Sequence, residues 1–262
     1  MDLKKILAEV SEFVREKGDY VYNNWHNMTI DKLKDNGADV CTNFDKEVEK
    51  VFHDYVAVNY PDYGFRGEEN PEYNKDGEYV WMIDPIDGTK FFAAGIPLWC
   101  LTLALVDKGG DGLLGVIYNP ISKQLYSASK NNGAYLNGSK IELGKEADIT
   151  KLQVSIDISA TKLGELDFTD RCNTIVTRLE NNFYRARLLG SGATSLAWLS
   201  QGFFGAFVDP VRPTAKLVDT AGGLCIAKEA GAEIVRSEIE PGVFQTIVAR
   251  EKVVNRILEI ID

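Results

Sequence analysis

Apolar residues open the chain at intervals of three and four: Leu3, Ile6, Leu7, Val10, Phe13 and Val14. That spacing predicts an amphipathic helix reaching about Asn23, with one face for a sheet and the other for water. A second helix is predicted from Asp45 to about Asn59, where Thr42 and Asp45 stand as a cap at its start. The stretch between them, Lys32-Leu33-Lys34-Asp35-Asn36-Gly37, is polar and turn-like, and 61–76 is a loop rich in Asn, Asp, Gly and Pro. The pattern then changes to strands. Aromatic and β-branched residues crowd Tyr79 to Ile83, which reads as a buried strand, and Pro85, with no N–H and a fixed φ, is expected to stop it. After a turn over Phe91 to Pro97, the segments Leu98 to Val106, Leu113 to Asn119 and Gln124 to Ala128 read as successive strands, and Gly133 to Gly138 adds a short one. Adjacent strands with tight turns imply an antiparallel sheet, covered by the two helices.

The second half alternates. Strands near Val154 to Ile158, Arg185 to Leu189 and Phe204 to Val208 are separated by helices near Asp167 to Glu180 and from Ser191 to Gln201, with a last helix beyond Asp219. Such alternation points to a layered α/β unit. The polar, helix-forming stretch Leu143 to Thr150 marks a boundary, giving an α+β unit of residues 1–147 and an α/β unit of residues 148–262.

Charge narrows the function. Thirty-nine acidic residues against twenty-nine basic ones leave a formal charge of −10 across 262 residues, with no Lys/Arg run, which argues against a nucleic-acid surface. No apolar run is long enough to span a bilayer, so a soluble, cytoplasmic protein without a membrane partner is expected. Cys41, Cys100, Cys172 and Cys225 are widely spaced and read as buried or free thiols. His26 and His53, the only histidines, fall in helical, polar and aromatic surroundings, so a histidine-centred metal site or triad is hard to build.

The chemistry concentrates where the buried strand ends, at Asp84-Pro85-Ile86-Asp87-Gly88-Thr89. Two carboxylates on one tight bend repel unless a cation lies between them, and magnesium is the simplest candidate. A solvated turn would produce the same Asp-Pro-x-Asp-Gly string. Gly67-Glu68-Glu69 adds acid upstream, and Val218-Asp219-Thr220-Ala221-Gly222-Gly223 places another aspartate before a small-residue helix.

These three motifs, in this order, resemble the inositol monophosphatase and fructose-1,6-bisphosphatase superfamily, with Val218 where that family often has tryptophan. The resemblance implies the sugar phosphatase fold, a layered αβαβα sandwich with the metal site between its halves. It implies two or three Mg2+ ions, with Mn2+ as a substitute and Li+ as an inhibitor, held by Glu68, Asp84, Asp87, Asp219 and the Ile86 carbonyl. Thr89 with Asp45 would orient the attacking water, helped by Glu68. Phosphate would lie at Asp87 and the N–H groups of Gly88 and Thr89, Lys34 would stand as a mobile-loop lysine, and Arg187, Gly192 and Arg212 would contact the rest of the substrate. Arg212, where several members of the family carry an acid, and Lys216 beyond it look like the archaeal-type dual-activity enzymes, which suggests fructose 1,6-bisphosphate and inositol 1-phosphate as substrates of a phosphoric monoester hydrolase; the alternative is that Arg212 pairs with Asp209 in a surface loop. Histidinol phosphate or 3′-phosphoadenosine nucleotides are the alternatives within the superfamily, and a non-catalytic sugar-phosphate-binding relative is the alternative outside catalysis. A homodimer follows from the same resemblance.

Overall fold

The structure, a computed structural model, describes residues 1–34 and 39–261, the side chains of residues 32–34 and 39 excepted. Helix α1 (Leu3–Asn23) starts on Asp2, whose carboxylate accepts from the Lys5 N–H, and buries Val10, Val14, Gly18 and Val21. Strands β1 (Ile30–Lys34) and β2 (Asp39–Thr42) pair antiparallel and feed α2 (Asn43–Asn59). Strand β3 (Gly64–Arg66) runs parallel to β4 (Tyr79–Asp87), and the short helix α3 (Thr89–Ala93) follows. Strands β5 (Cys100–Asp107), β6 (Gly112–Asn119), β7 (Gln124–Ser129), β8 (Ala134–Leu136) and β9 (Ser139–Ile141) then form an antiparallel meander. The result is a seven-stranded sheet in the order β3-β4-β5-β6-β7-β8-β9. Its first face packs on α1 and α2 through Phe44, Phe52, Trp81, Leu103 and Tyr118.

The second half supplies β10 (Gln153–Ile156), the small hairpin β11 (Lys162–Leu163) and β12 (Leu166–Asp167), α4 (Thr169–Asn182), β13 (Arg185–Arg187) and α5 (Gly192–Ser200). It continues with β14 (Ala206–Pro213), α6 (Ala221–Glu229), β15 (Glu233–Glu240), β16 (Val243–Ala249) and α7 (Glu251–Ile261). Its five-stranded sheet runs β13-β10-β14-β16-β15, parallel across β13, β10 and β14. One core joins Ile117 and Tyr126 of the first sheet to Leu196, Phe207 and Ile226, so α5 and α6 lie between the sheets, and another packs α4 and α7 on the far side. The layers are therefore αβαβα. Glycines set the closeness of the central layer: a Cβ on Gly115 would stand 2.3 Å from the Gly222 carbonyl oxygen, and one on Gly222 2.8 Å from that of Leu103. Among the described residues all four cysteines are buried free thiols, and no helix is long and apolar enough to cross a membrane.

Three local expectations are corrected. Strand β4 does not stop at Pro85 but runs through Asp87, with Asp84 opposite Thr102 and Asp87 opposite Cys100. Three steps on β4 against two on β5 make a bulge, and a proline is tolerated there because a bulged position need not donate to the ladder. The turn expected at Phe91 to Pro97 begins instead as α3, launched by Gly88 at φ +92°. Leu143 to Asp148 forms no regular element and leads into a 3-10 turn at Ile149–Lys151, and the Leu143 and Gly144 carbonyls accept from the Arg250 guanidinium.

Candidate active site

The bulge in β4 explains why two aspartates three residues apart serve one site. In a regular strand, positions i and i+3 point to opposite faces, and one inserted residue brings them back to the same side. The Ile86 N–H donates to Asp84 Oδ1 at 3.0 Å, which fixes the bend from within. Gly88 turns the chain out of the strand with a left-handed φ of +92°, and a Cβ there would meet the Leu98 carbonyl oxygen at 2.7 Å, so glycine is required on both counts.

Around this bend lies a cleft of about 360 Å³ between the halves, lined by Glu68, Asp84, Ile86, Asp87, Gly88 and Thr89 from the first and by Asp157, Ser159, Gly192, Arg212, Lys216 and Asp219 from the second. One carboxylate oxygen each of Glu68, Asp84 and Asp219 lies within 4.8 Å of the others. Asp87 is anchored across the cleft: its Oδ2 accepts from the Ser191 hydroxyl at 2.6 Å and from the Ala193 N–H at 2.9 Å, at the start of α5. A helix N-terminus favours such a carboxylate. Asp45 forms a capping box with Thr42 and lies 3.3 Å from the Thr89 hydroxyl, whose other neighbour is the Ile86 carbonyl at 2.8 Å.

Burial dominates the electrostatics. It raises the Asp84 carboxyl well above its usual range, and the charges of Glu68, Asp219 and Asp87 push the same way. Asp87 is pushed up to about 7 by burial, against the Ser191 hydroxyl, and Asp45 to about 6 by burial, against its bonds to Thr42. Asp219 is raised by burial too, with Arg212 opposing, and among the described residues its buried Oδ1 has no hydrogen-bond partner. An orphaned carboxylate oxygen inside an all-oxygen acidic cluster is the donor set of a hard divalent cation, so these residues fit magnesium. A stability consequence follows. Carboxyls whose folded pKa lies above the unfolded value bind extra protons in the folded state, so chelator-treated protein should lose stability as pH rises from the ordinary carboxyl range, about 4, through about 6 for Asp45 and about 7 for Asp87, by up to about 1.4 kcal/mol per pH unit per such group. Mg2+ should flatten that slope and raise the melting temperature more at pH 8 than at 5.5. Parallel pH profiles with and without Mg2+ in scanning calorimetry would contradict the cation reading.

The other expected contacts divide. Gly192 lines the cleft, but its own role is steric, since a Cβ there would meet Thr220, the Asp157 carboxylate and the Arg212 guanidinium at 2.9–3.3 Å. Arg212 is 3% exposed, and its nitrogens are directed to Asp157 at 2.5 Å, Asp209 at 2.6 Å, the Lys216 carbonyl at 2.8 Å and Asp219 at 3.3 Å. It is a buried counter-ion for three carboxylates rather than an open fork. Arg187 is exposed on β13, directed to the Ala186 carbonyl, and is not among the cleft residues, because its parallel pairing opposite Ser155 ends the strand short of the site. The Lys34 side chain lies outside the described residues. Sequence reading missed Ser191, Asp157 and the fully buried Glu49, which accepts backbone N–H groups from the Glu68 loop. Only an acid at an apolar helix position, Val48-Glu49 between Phe44 and Phe52, hinted at the last.

Known proteins share this architecture. The fructose-1,6-bisphosphatase/inositol-1-monophosphatase of Thermotoga maritima is 30% identical over 224 residues, 85% of this chain and 81% of that relative. A solved Thermotoga maritima IMPase matches with a TM-score of 0.83 at 25% identity, over 98% of this chain and 96% of its own. An IMPase/NADP phosphatase solved with Mg2+ and phosphate matches in fold, with a TM-score of 0.83 at 21% identity over 99% and 96% of the two chains. The sequence model of the inositol monophosphatase family matches residues 2–256, and the chain belongs to that family.

Proposed function

We propose that this protein is a magnesium-dependent phosphatase that hydrolyses small sugar or polyol phosphate monoesters, inositol 1-phosphate and fructose 1,6-bisphosphate foremost, through Glu68, Asp84, the Ile86 carbonyl, Asp87 and Asp219 as metal-holding groups. The observation that carries the reading is the acidic triad with its orphaned Asp219 oxygen, set beside the Asp45 and Thr89 pair. A phosphate dianion entering a well of carboxylates would be repelled by all of them without cations. Divalent ions held by Glu68, Asp84, Asp87 and Asp219 would supply that neutralisation and make a water more acidic. The protein's own groups do the rest. The N–H groups of Gly88 and Thr89 stand at the start of α3, where an anion is favoured. Thr89 Oγ1 accepts a hydrogen bond from the attacking water as its own proton turns to Asp45 Oδ1, and a carboxylate with a pKa pushed up to about 6 is suited to take that proton at neutral pH. Thr42 holds Asp45 Oδ2 from behind, so the base has one orientation.

Away from the phosphate, Asp157 and Ser159 offer acceptors for substrate hydroxyls, and Lys216 at the exposed mouth offers a cation for a second anionic group. The bisphosphate reading thus rests on Lys216 more than on the engaged Arg212. Phosphate release from inositol 1-phosphate, fructose 1,6-bisphosphate, histidinol phosphate and 3′-phosphoadenosine 5′-phosphate, each with Mg2+ and with chelator, tests the proposal. Mg2+-dependent turnover of the first two is expected. Preference for either of the others would replace the substrate, and no release from any would replace the enzyme by a binding protein.

A further inference from the structure

Glu49 sits one helical turn after Asp45 on α2, so both carboxylates share the face turned toward the site. Glu49 is fully buried, and among the described residues its bonds are to N–H groups and not to a charged side chain. Its Oε2 accepts the Glu68 N–H at 2.7 Å, its Oε1 accepts the Asn70 N–H at 2.5 Å and the Asn70 side-chain amide at 3.1 Å, and the Glu69 N–H lies 3.0 and 3.1 Å from the two oxygens. Three successive backbone N–H groups converging on one point form a concavity that only an anionic, two-oxygen acceptor satisfies in full. An apolar residue at position 49 would orphan them. The fit is close enough to dictate the residue before the loop: a Cβ on Gly67 would lie 2.4 Å from Glu49 Cδ and 2.5 and 2.7 Å from its oxygens. Gly67 is not among the glycines of positive φ, so what an alanine would meet first is the Glu49 carboxylate, which would have to move aside.

We propose that Glu49 is the positioning residue for Glu68: by gripping the backbone of Glu68, Glu69 and Asn70 from a rigid helix, it places the Glu68 carboxylate beside those of Asp84 and Asp219 before any cation arrives. The inference rests on the reading of Glu68 as a metal-holding residue. Its consequence is geometric. Four residues of helix, about 6 Å, fix the distance between the Glu68 loop and the water-orienting Asp45, so one element sets both halves of the chemistry. Without the grip, Glu68 must be ordered at the expense of cation binding, and cation affinity falls.

The test is calorimetric titration of Mg2+ into chelator-stripped full-length protein carrying Glu49→Gln, Gly67→Ala or Glu68→Gln, with melting temperatures measured in chelator. Glu49→Gln replaces one acceptor oxygen by a donor, and Gly67→Ala evicts the carboxylate while leaving it in the chain. Both are expected to weaken Mg2+ binding by about 10–100-fold, as loss of a supporting group behind a metal ligand does, and the Mg2+ concentration for half-maximal activity should rise in step. Phe52→Leu, in the core on the same helix, should lower the melting temperature and leave Mg2+ affinity unchanged, which separates positioning from mere stability. Wild-type affinity in folded Glu49→Gln and Gly67→Ala, with weakened binding in Glu68→Gln, would overturn the role of Glu49. Unchanged affinity in Glu68→Gln would instead overturn the ligand reading beneath it. If Glu49→Gln does not fold, Gly67→Ala decides alone.

Discussion

Asp84→Asn is expected to lower kcat/KM by roughly 10³-fold or more, about 4 kcal/mol of transition-state stabilisation, and at the same time to raise the melting temperature of the chelated protein. The two effects share one cause. Asp84 is 5% exposed and lies among Glu68, Asp219, Asp87 and Asp45, whose charges all add to the cost of its burial. Asparagine keeps the oxygen that accepts the Ile86 N–H, so the bulge survives, while the charge that repels its neighbours is gone. At roughly 2–4 °C per kcal/mol for a chain of this size, removing that repulsion should show as a rise of several degrees without Mg2+ and a smaller Mg2+-induced shift. Such stability gained at the expense of activity is the signature of a site strained for function. Retention of more than a tenth of the activity, or a fall in the chelated melting temperature, would show that Asp84 holds the fold and not a cation.

Much of this was legible in the chain. The first helix, the meander from Cys100 to Ser129 and the alternation of the second half follow from periodicity, since each buries one stripe or one face. The aspartate pair at the end of β4 was legible as a concentration of buried negative charge, because charge repulsion does not depend on the fold. What escaped were features that depend on partners distant in sequence. Pro85 reads as a strand end until Thr102 and Cys100 are seen opposite the bulge, and Asp87 reads as a simple ligand until Ser191, 104 residues later, is found holding its second oxygen. Residues 233–261 gave no reading, although Val253, Val254 and Ile257 of α7 and the buried run of β16 are periodic and close the outer core. Glu49 and Asp157 were invisible for a further reason: a buried acid looks in sequence like any solvated one, and only the donors around it reveal its use.

Arg212 is where the sequence leaves two readings open, a second phosphate or a pairing with Asp209; the structure shows the pairing, buried and not in a surface loop, and a substitution tests what it does. The guanidinium binds Asp157, Asp209 and Asp219, all buried or nearly so, and it is the main cation opposing the desolvation of Asp157 and Asp219, with Lys216 acting the same way from further off. Burial still raises Asp157 to about 6 against the pull of Arg212. Arg212→Leu therefore takes from three carboxylates the one cation that contacts them, and removing one partner from a buried ionic cluster costs about 3–5 kcal/mol, or roughly 6–20 °C in melting temperature for a chain of this length. Arg212→Lys keeps the charge but offers a point where a fork is needed, so it should recover only part of the loss. Mg2+ should reduce the deficit in both variants, because Asp219 would regain a cation while Asp157 and Asp209 would not. The opposite pattern, a melting temperature within about 2 °C of wild type and a raised KM for fructose 1,6-bisphosphate alone, would return Arg212 to the substrate as a free phosphate-binding arm. Buried arginines with each nitrogen directed to an acceptor do not swing out to meet a ligand, since leaving would strand every carboxylate they serve. The expected result is thus a protein that loses stability first and discriminates among phosphate esters little differently.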